Sequence, residues 1–223
     1  MTTLIVLRHG ETSWNRDGRW QGQADVELSD VGRAQARAAA RHLADVHVDA
    51  VWSSPLARAL ETARTVAHPH GLDVHVDDRL GEINVGEWAG RTVAEVCEVA
   101  PEQRDLYERG VDFRRSVTGE TATEVGERGA AAFEAIRARH PDETVLVVCH
   151  GFFARTVISR LIGLPGYGSR PRGGGHAPPP PARQRPLRRA ATSRGAVAVA
   201  GLRPRWRGDV TRPVWTVEGP SRA

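Results

Sequence analysis

A chain of 223 residues, 40% of them hydrophobic, is long enough for one well-buried domain with a small appendage, and no apolar run reaches the length needed to span a bilayer. Only Cys97 and Cys149 are present, which excludes a disulfide framework. The first residues enter a strand pattern at once with no signal segment, so the expected setting is the cytoplasm. The formal charge of +4 is unevenly spread: residues 1–164 hold 19 Arg against 25 Asp and Glu, net −6, whereas residues 165–223 hold 12 Arg against Asp209 and Glu218, net +10.

Residues 4–9 are an apolar, β-branched run ending in Arg8 and His9, after which the chain turns on Gly10. Such a run reads as a buried strand. A polar loop over 11–28 contains Trp14, Asn15 and Trp20. Ser29 is placed to cap an Ala-rich helix running to about residue 46. A second short strand is predicted over 49–53. Ser54-Pro55 then opens a helix to about residue 67, with proline near its first position. Residues 72–76 form a third strand, and 79–90 an irregular segment punctuated by glycine. Two shorter helices follow around 93–100 and 101–110. A longer one starts at Thr121 or Thr123 and ends near His140-Pro141. Residues 144–149 are a continuous apolar strand leading through His150-Gly151 into a helix that reaches Leu164.

Strands alternating with helices predict an α/β fold: a three-layer α/β/α sandwich around a mostly parallel sheet. Two of its strands end alike, in an apolar run, a histidine and a glycine. Right-handed crossovers put both ends on one edge of the sheet, so His9 and His150 are expected to converge. An imidazole there can attack phosphorus, and the Arg8 guanidinium beside it can hold phosphate oxygens.

Four segments carry a family resemblance: Leu7-Arg8-His9-Gly10-Glu11-Thr12 with Asn15; Ser53-Ser54-Pro55-Leu56-Ala57-Arg58-Ala59-Leu60-Glu61-Thr62-Ala63; Leu80-Gly81-Glu82-Ile83 leading to Gly86-Glu87-Trp88; and Val148-Cys149-His150-Gly151. In this order and spacing, residues 1–164 resemble the histidine phosphatase superfamily, the phosphoglycerate mutase-like family. The resemblance implies that His9 is the nucleophile, forming a phosphohistidine that water hydrolyses. It implies that Arg8, Arg58 and His150 complete the phosphate pocket, and that Glu82 is the general acid and then the base. Asn15 and the Gly151 amide are further candidates for oxygen contacts. Planar guanidinium groups suit the spread charge of a transferring phosphoryl group. A carboxyl acting as acid near neutrality needs an apolar wall, for which Ile83 and Trp88 are the nearby candidates. The scheme calls for no metal and no cofactor.

Competing readings exist for single residues. Arg58 can be a solvated helix residue pairing with Glu61 or Thr62, Glu87 competes with Glu82, and Glu11 is expected to hold the loop. His68, His70 and His75 lack partner carboxylates or cysteines at ligand spacing. Cys149 is expected to act as a small buried hydrophobe, and Cys97 to sit on a helix face. The Gly-Glu-Trp form at 86–88 resembles the phosphatase branch, and residues 91–120 lack extra basic residues suited to retaining a bisphosphate. The expected activity is therefore a metal-independent phosphomonoester hydrolase acting on a small phosphorylated metabolite, with mutase-type phosphoryl transfer as the alternative. Substrate contacts are expected from the 11–28 loop and the 91–125 segment, with Trp14, Trp20 and Trp88 shaping an apolar side. A homodimer is compatible with this fold, and neither a membrane nor a nucleic-acid partner is expected.

Beyond residue 164 the resemblance stops. Residues 165–223 hold ten of the fourteen prolines and stay rich in Arg and Gly, a composition expected to be irregular or disordered. Only 195–201 and 214–217 look strand-like. A neutral low-complexity extension is one reading of the abrupt change; the favoured expectation is a slipped reading frame near residue 166, which predicts a sheet one strand short. A basic tail binding a polyanion on a weak or inactive enzyme is the other functional class.

Overall fold

The computed structural model describes residues 1–163 and the backbone of 215–218. In chain order its elements are β1 (Thr3–Arg8), α1 (Ser13–Arg16), α2 (Asp30–Leu43), β2 (Ala50–Ser53), α3 (Ala57–Ala67), β3 (Val74–Val76), α4 (Val93–Val99), α5 (Glu102–Glu108), α6 (Ala122–Arg139), β4 (Thr144–Cys149), α7 (Gly151–Leu161) and β5 (Trp215–Glu218). The sheet order is β3-β2-β4-β1-β5. β1 and β4 run parallel in full register, Thr3 opposite Thr144 and Arg8 opposite Cys149. β2 lies parallel to β4 and to β3, while β5 joins β1 antiparallel.

Period-two alternation divides β1 between two cores. Leu4 and Val6 pack with Val145, Val147 and Cys149 against Phe133 and Ile136 of α6 and Phe153 and Val157 of α7. Ile5 and Leu7 pack with Leu146 and Val148 against Ala40 and Leu43 of α2 and Ala59, Ala63 and Val66 of α3. Covering both faces gives the expected α/β/α sandwich. Among the described residues no helix is long and apolar enough to cross a membrane.

Helix starts follow local capping chemistry. The Ser29 hydroxyl accepts from the Gly32 amide at 3.1 Å, and Thr121 and Glu124 form a reciprocal capping box that fixes the start of α6 at Thr121. Thr123 is drawn instead to Asp112, its hydroxyl 2.8 Å from Oδ2. One start differs from expectation. α3 begins at Ala57, not at Ser54-Pro55, because the Ala57 amide is taken by Asp25 Oδ1 at 2.7 Å while the Ser54 hydroxyl turns to His150. The polar loop over 11–28 also contains one helical turn, α1.

Where β1 ends, α2 presses on the chain: a Cβ on Gly32 would collide with the Glu11 carbonyl, so only glycine allows this approach. At the end of α6, Trp52 Nε1 donates to His140 Nε2 at 3.0 Å, and the His75 ring lies 5.0 Å from the Trp52 ring.

Among the described residues the sheet has five strands. The strand-like segment at 214–217 is represented by β5, whose residues Trp215 and Glu218 lie opposite Val6 and Thr3. The remaining expectations for 165–223 (domain boundary, irregular or disordered state, frame slip, polyanion binding) lie outside the described residues.

Candidate active site

The carboxyl ends of the neighbouring parallel strands β1 and β4 lie at one edge, and each delivers a histidine there. His9 follows β1, and its amide extends the ladder by donating to the Cys149 carbonyl at 3.0 Å. His150 follows β4 as the residue preceding α7. The two imidazole centroids are 5.1 Å apart, with the rings inclined at 59°. His9 Nδ1 lies 2.6 Å from the Gly10 carbonyl oxygen. A carbonyl only accepts, so Nδ1 carries the proton and the lone pair sits on Nε2. His150 Nε2 lies 2.8 Å from Ser54 Oγ, and its Nδ1 is buried without a hydrogen-bond partner among the described residues.

Two guanidinium groups flank the histidines. Arg8 lies against Gly151, where a Cβ would sit 3.0 Å from its Cζ, so any larger residue at the first turn of α7 pushes the guanidinium back by a few tenths of an ångström. Arg58 is fully buried, contrary to the solvated reading, and Glu61 pairs with Arg33 at 2.8 Å instead. Arg58 Nη1 donates to the Ala24 carbonyl at 2.8 Å and Nη2 to Gly22 at 2.7 Å, so the 11–28 loop fixes its plane. Its Nε is buried and has no hydrogen-bond partner among the described residues. Burial pulls the Arg58 pKa down to about 10, with Arg8 acting the same way and Glu82 and Asp25 opposing. It stays charged at neutral pH.

Glu82 occupies the amino end of α7. Its carboxylate accepts from the amides of Phe153 (2.9 Å), Ile83 (3.0 Å) and Phe152 (3.1 Å). Helix N-terminal amides lack intrahelical partners and carry partial positive charge, which is why a carboxylate settles there. The Glu82 carbonyl accepts from Arg128 Nη2 at 2.9 Å and Gln23 Nε2 at 3.1 Å. Arg128 also binds the Arg79 and Gly81 carbonyls, both at 2.8 Å, and grips Glu120 at 2.8 and 3.0 Å. All five of its N–H donors are thereby used.

Sequence reasoning missed Arg128. The available signal was its place in α6, three residues after Val125 and four before Ala132, on the stripe that is otherwise buried and apolar. Ile83 and Trp88, suggested as an apolar wall for Glu82, are part of the core cluster, whereas the Glu82 carboxyl itself is met by three backbone amides, one of them that of Ile83. Glu87 is occupied elsewhere: the hydroxyls of Ser116 and Thr118 help hold its carboxyl down to about 2. Glu11 accepts from the Ser29 hydroxyl at 3.2 Å and holds the loop as expected. Asn15 Oδ1 takes the Thr12 amide and hydroxyl at 3.2 and 3.3 Å in the capping box of α1. The structure therefore gathers His9, His150, Arg8, Arg58, Glu82 and Gly151 at one edge, and gives Asn15 a capping task in the adjoining loop.

Charge in the pocket is felt by its buried groups. Burial, followed by surrounding positive charge that includes Arg58, Arg8 and Arg128, pushes the His150 pKa well below its ordinary value. Burial, with Glu82 adding, pushes the Cys149 thiol up, in keeping with an inert core residue.

A cavity of about 590 Å³ opens beside Glu82. Its walls include Trp20, Trp88, Phe113, Phe152, Arg104, Arg115 and Arg155, so the 91–120 segment, against expectation, does bring basic residues to the site. Trp20 and Trp88 meet edge to face at 6.0 Å, and the Arg115 guanidinium stacks 4.2 Å over Phe113. Phe152 joins this cavity to the pocket, because its ring forms wall while its amide holds Glu82. Cys97, on α4, is also part of the lining, whereas Trp14 packs over Gly90 instead.

Residues 4–173 match the family described as "Histidine phosphatase superfamily (branch 1)". The chain belongs to that superfamily, and its enzyme class is that of the histidine phosphatases. It is 38% identical over 167 residues to phosphoserine phosphatase 1 of Hydrogenobacter thermophilus, covering 74% of this chain and 78% of the relative. It is 32% identical over 170 residues to a probable phosphoglycerate mutase, GpmB, of Yersinia pestis, covering 76% and 79%. The structure of a mycobacterial glucosyl-3-phosphoglycerate phosphatase complexed with VO3 superimposes with a TM-score of 0.69 at 36% identity, covering 74% of this chain and 84% of that one.

Proposed function

We propose that the protein is a metal-independent phosphomonoester hydrolase that passes through a phosphohistidine on His9 and acts on a small phosphorylated metabolite. The observation that carries this reading is the fixed tautomer of His9. With Nδ1–H committed to the Gly10 carbonyl at 2.6 Å, Nε2 is the nucleophilic nitrogen, 5.1 Å centroid to centroid from His150 in a pocket flanked by two buried-edge arginines. In the first step His9 Nε2 attacks phosphorus, the bond from phosphorus to the ester oxygen breaks, and Glu82 gives its proton to that oxygen. In the second, water attacks phosphorus, the P–N bond breaks with its electron pair returning to Nε2, and Glu82 takes the proton from water. Arg8, Arg58 and His150 hold the phosphoryl oxygens, and Gly151 lets the Arg8 guanidinium approach the helix end, where its own amide is a further donor. Asn15 would contribute by shaping the loop that carries the Arg58 acceptors.

The leaving group is assigned to the 590 Å³ cavity, whose wall residue Phe152 also orients the proposed acid. Aromatic faces with arginines between them suit a compact organic ester with one apolar side. The printed substrates of two relatives, phosphoserine and glucosyl-3-phosphoglycerate, are small phosphate esters and form the natural first panel.

Hydrolysis of an aryl phosphate with chelator present tests the reading. Chelator-resistant phosphate release, abolished in His9→Ala, is expected; release that survives His9→Ala contradicts it. Mutase-type transfer is the second reading, favoured by the relative described as a probable phosphoglycerate mutase. It predicts phosphate exchange between positions of phosphoglycerate that depends on added bisphosphate and exceeds the rate of phosphate release.

A further inference from the structure

Ser54 stands in the second matching segment, yet the reaction as described gives it no task. Its side chain is fully buried. Its amide donates to the Val148 carbonyl at 3.1 Å, tying the end of β2 to β4 two residues before His150. Its hydroxyl oxygen accepts from the Leu56 amide at 3.3 Å and lies 2.8 Å from His150 Nε2.

We propose that Ser54 is a positioning residue of the phosphate site: its hydroxyl donates to Nε2 of His150, fixes the neutral Nδ1–H tautomer, and so makes that imidazole a hydrogen-bond donor toward a phosphoryl oxygen. The inference rests on the phosphate-site reading of the preceding subsection. Three protonation states of His150 compete. If Nε2 carried the proton, Ser54 Oγ would accept twice, its own proton would lack an acceptor in a buried position, and Nδ1 would turn a lone pair on an anionic ligand. If both nitrogens carried protons, an imidazolium would be buried beside Arg8 and Arg58, and burial and those charges oppose this. With the proton on Nδ1, Ser54 accepts from Leu56 and donates to His150, and the one group left over is the buried Nδ1–H. A phosphoryl oxygen is an acceptor of the kind that completes this arrangement. Ser54 thus sets the sense of the His150 hydrogen bond without touching the reacting atoms.

The test is the ¹⁵N spectrum of histidine-labelled full-length protein at neutral pH, with and without inorganic phosphate, for wild type, Ser54→Ala and Ser54→Thr. Wild-type His150 is expected to show protonated Nδ1 and unprotonated Nε2, with the Nδ1 signal moving when phosphate binds. Ser54→Ala should lose the single tautomer and weaken phosphate binding about tenfold, and Ser54→Thr, which keeps the hydroxyl, should restore both. An Nε2–H or doubly protonated ring in wild type overturns the proposal, as does an unaltered tautomer and affinity in folded Ser54→Ala. Should Ser54→Ala fail to fold, the wild-type spectrum decides alone. A wild-type Nδ1–H signal that ignores saturating phosphate overturns the donor role and the phosphate-site reading together, while the tautomer, read in the free protein, stands.

Discussion

Arg128 reaches from α6 to the carbonyl of Glu82, an Nη2–O distance of 2.9 Å across 46 residues of chain. With two neighbouring carbonyls and both oxygens of Glu120 also bound, this guanidinium holds the backbone that carries the proposed acid. Arg128→Lys keeps the charge but cannot reproduce a planar five-donor fork. Loss of register at Glu82 is expected to lower kcat about 10²-fold with little change in KM, since ångström-scale misplacement of a reacting group is that costly. Steady-state kinetics beside a thermal melt check this; wild-type kcat in folded Arg128→Lys contradicts it.

Glu82→Gln should separate substrates by leaving group. Protonating an alkoxide leaving group needs the acid, whereas a nitrophenolate departs without it. The expected loss is about 10²–10⁴-fold for alkyl phosphates and far smaller for p-nitrophenyl phosphate. Equal losses on both would place Glu82 outside proton transfer.

His150 makes stability depend on pH in a defined direction. Its pKa is lowered in the folded state, first by burial and then by the surrounding positive charge. Above about pH 6.5, the ordinary histidine value, folded and unfolded chains both keep it neutral. Below that, the unfolded chain binds a proton that the folded chain refuses, so stability falls as pH drops, with a limiting slope of about 1.4 kcal/mol per pH unit from this group. Urea unfolding between pH 7.5 and 5 should show a shallower slope in His150→Gln than in wild type; identical slopes contradict the assignment.

Trp52→Phe removes the donor to His140 Nε2 and leaves that nitrogen buried. The expected cost is about 1–3 kcal/mol in denaturant unfolding. Activity per folded molecule should be retained, because the bond ties β2 to the end of α6 and not to the pocket.

The strand ends were readable because apolar runs closing in Arg8-His9 and Cys149-His150 state both burial and position, and parallel topology then brings the histidines to one edge. Arg58 and Glu82 were readable through the segments around them. Arg128 and Ser54 were not, since their partners lie 46 and 96 residues away and no local pattern encodes such contacts. Pro55 misplaced the start of α3 because a proline near a helix start is a local signal, overridden here by Asp25 from another loop. The pairing of 215–218 with β1 escaped for a related reason: a short strand amid proline and arginine acquires its partner from the sheet, not from its own sequence.

In the proposed reaction the phosphoryl group passes through His9 Nε2. The most direct measurement mixes enzyme with ³²P-labelled phosphate ester for milliseconds, quenches in alkali, which preserves phosphohistidine, and maps the label by peptide digestion. Label is expected on the peptide containing His9, formed and lost at rates consistent with turnover, and absent in His9→Ala. Turnover with no label on that peptide, or with label on His150, would contradict it.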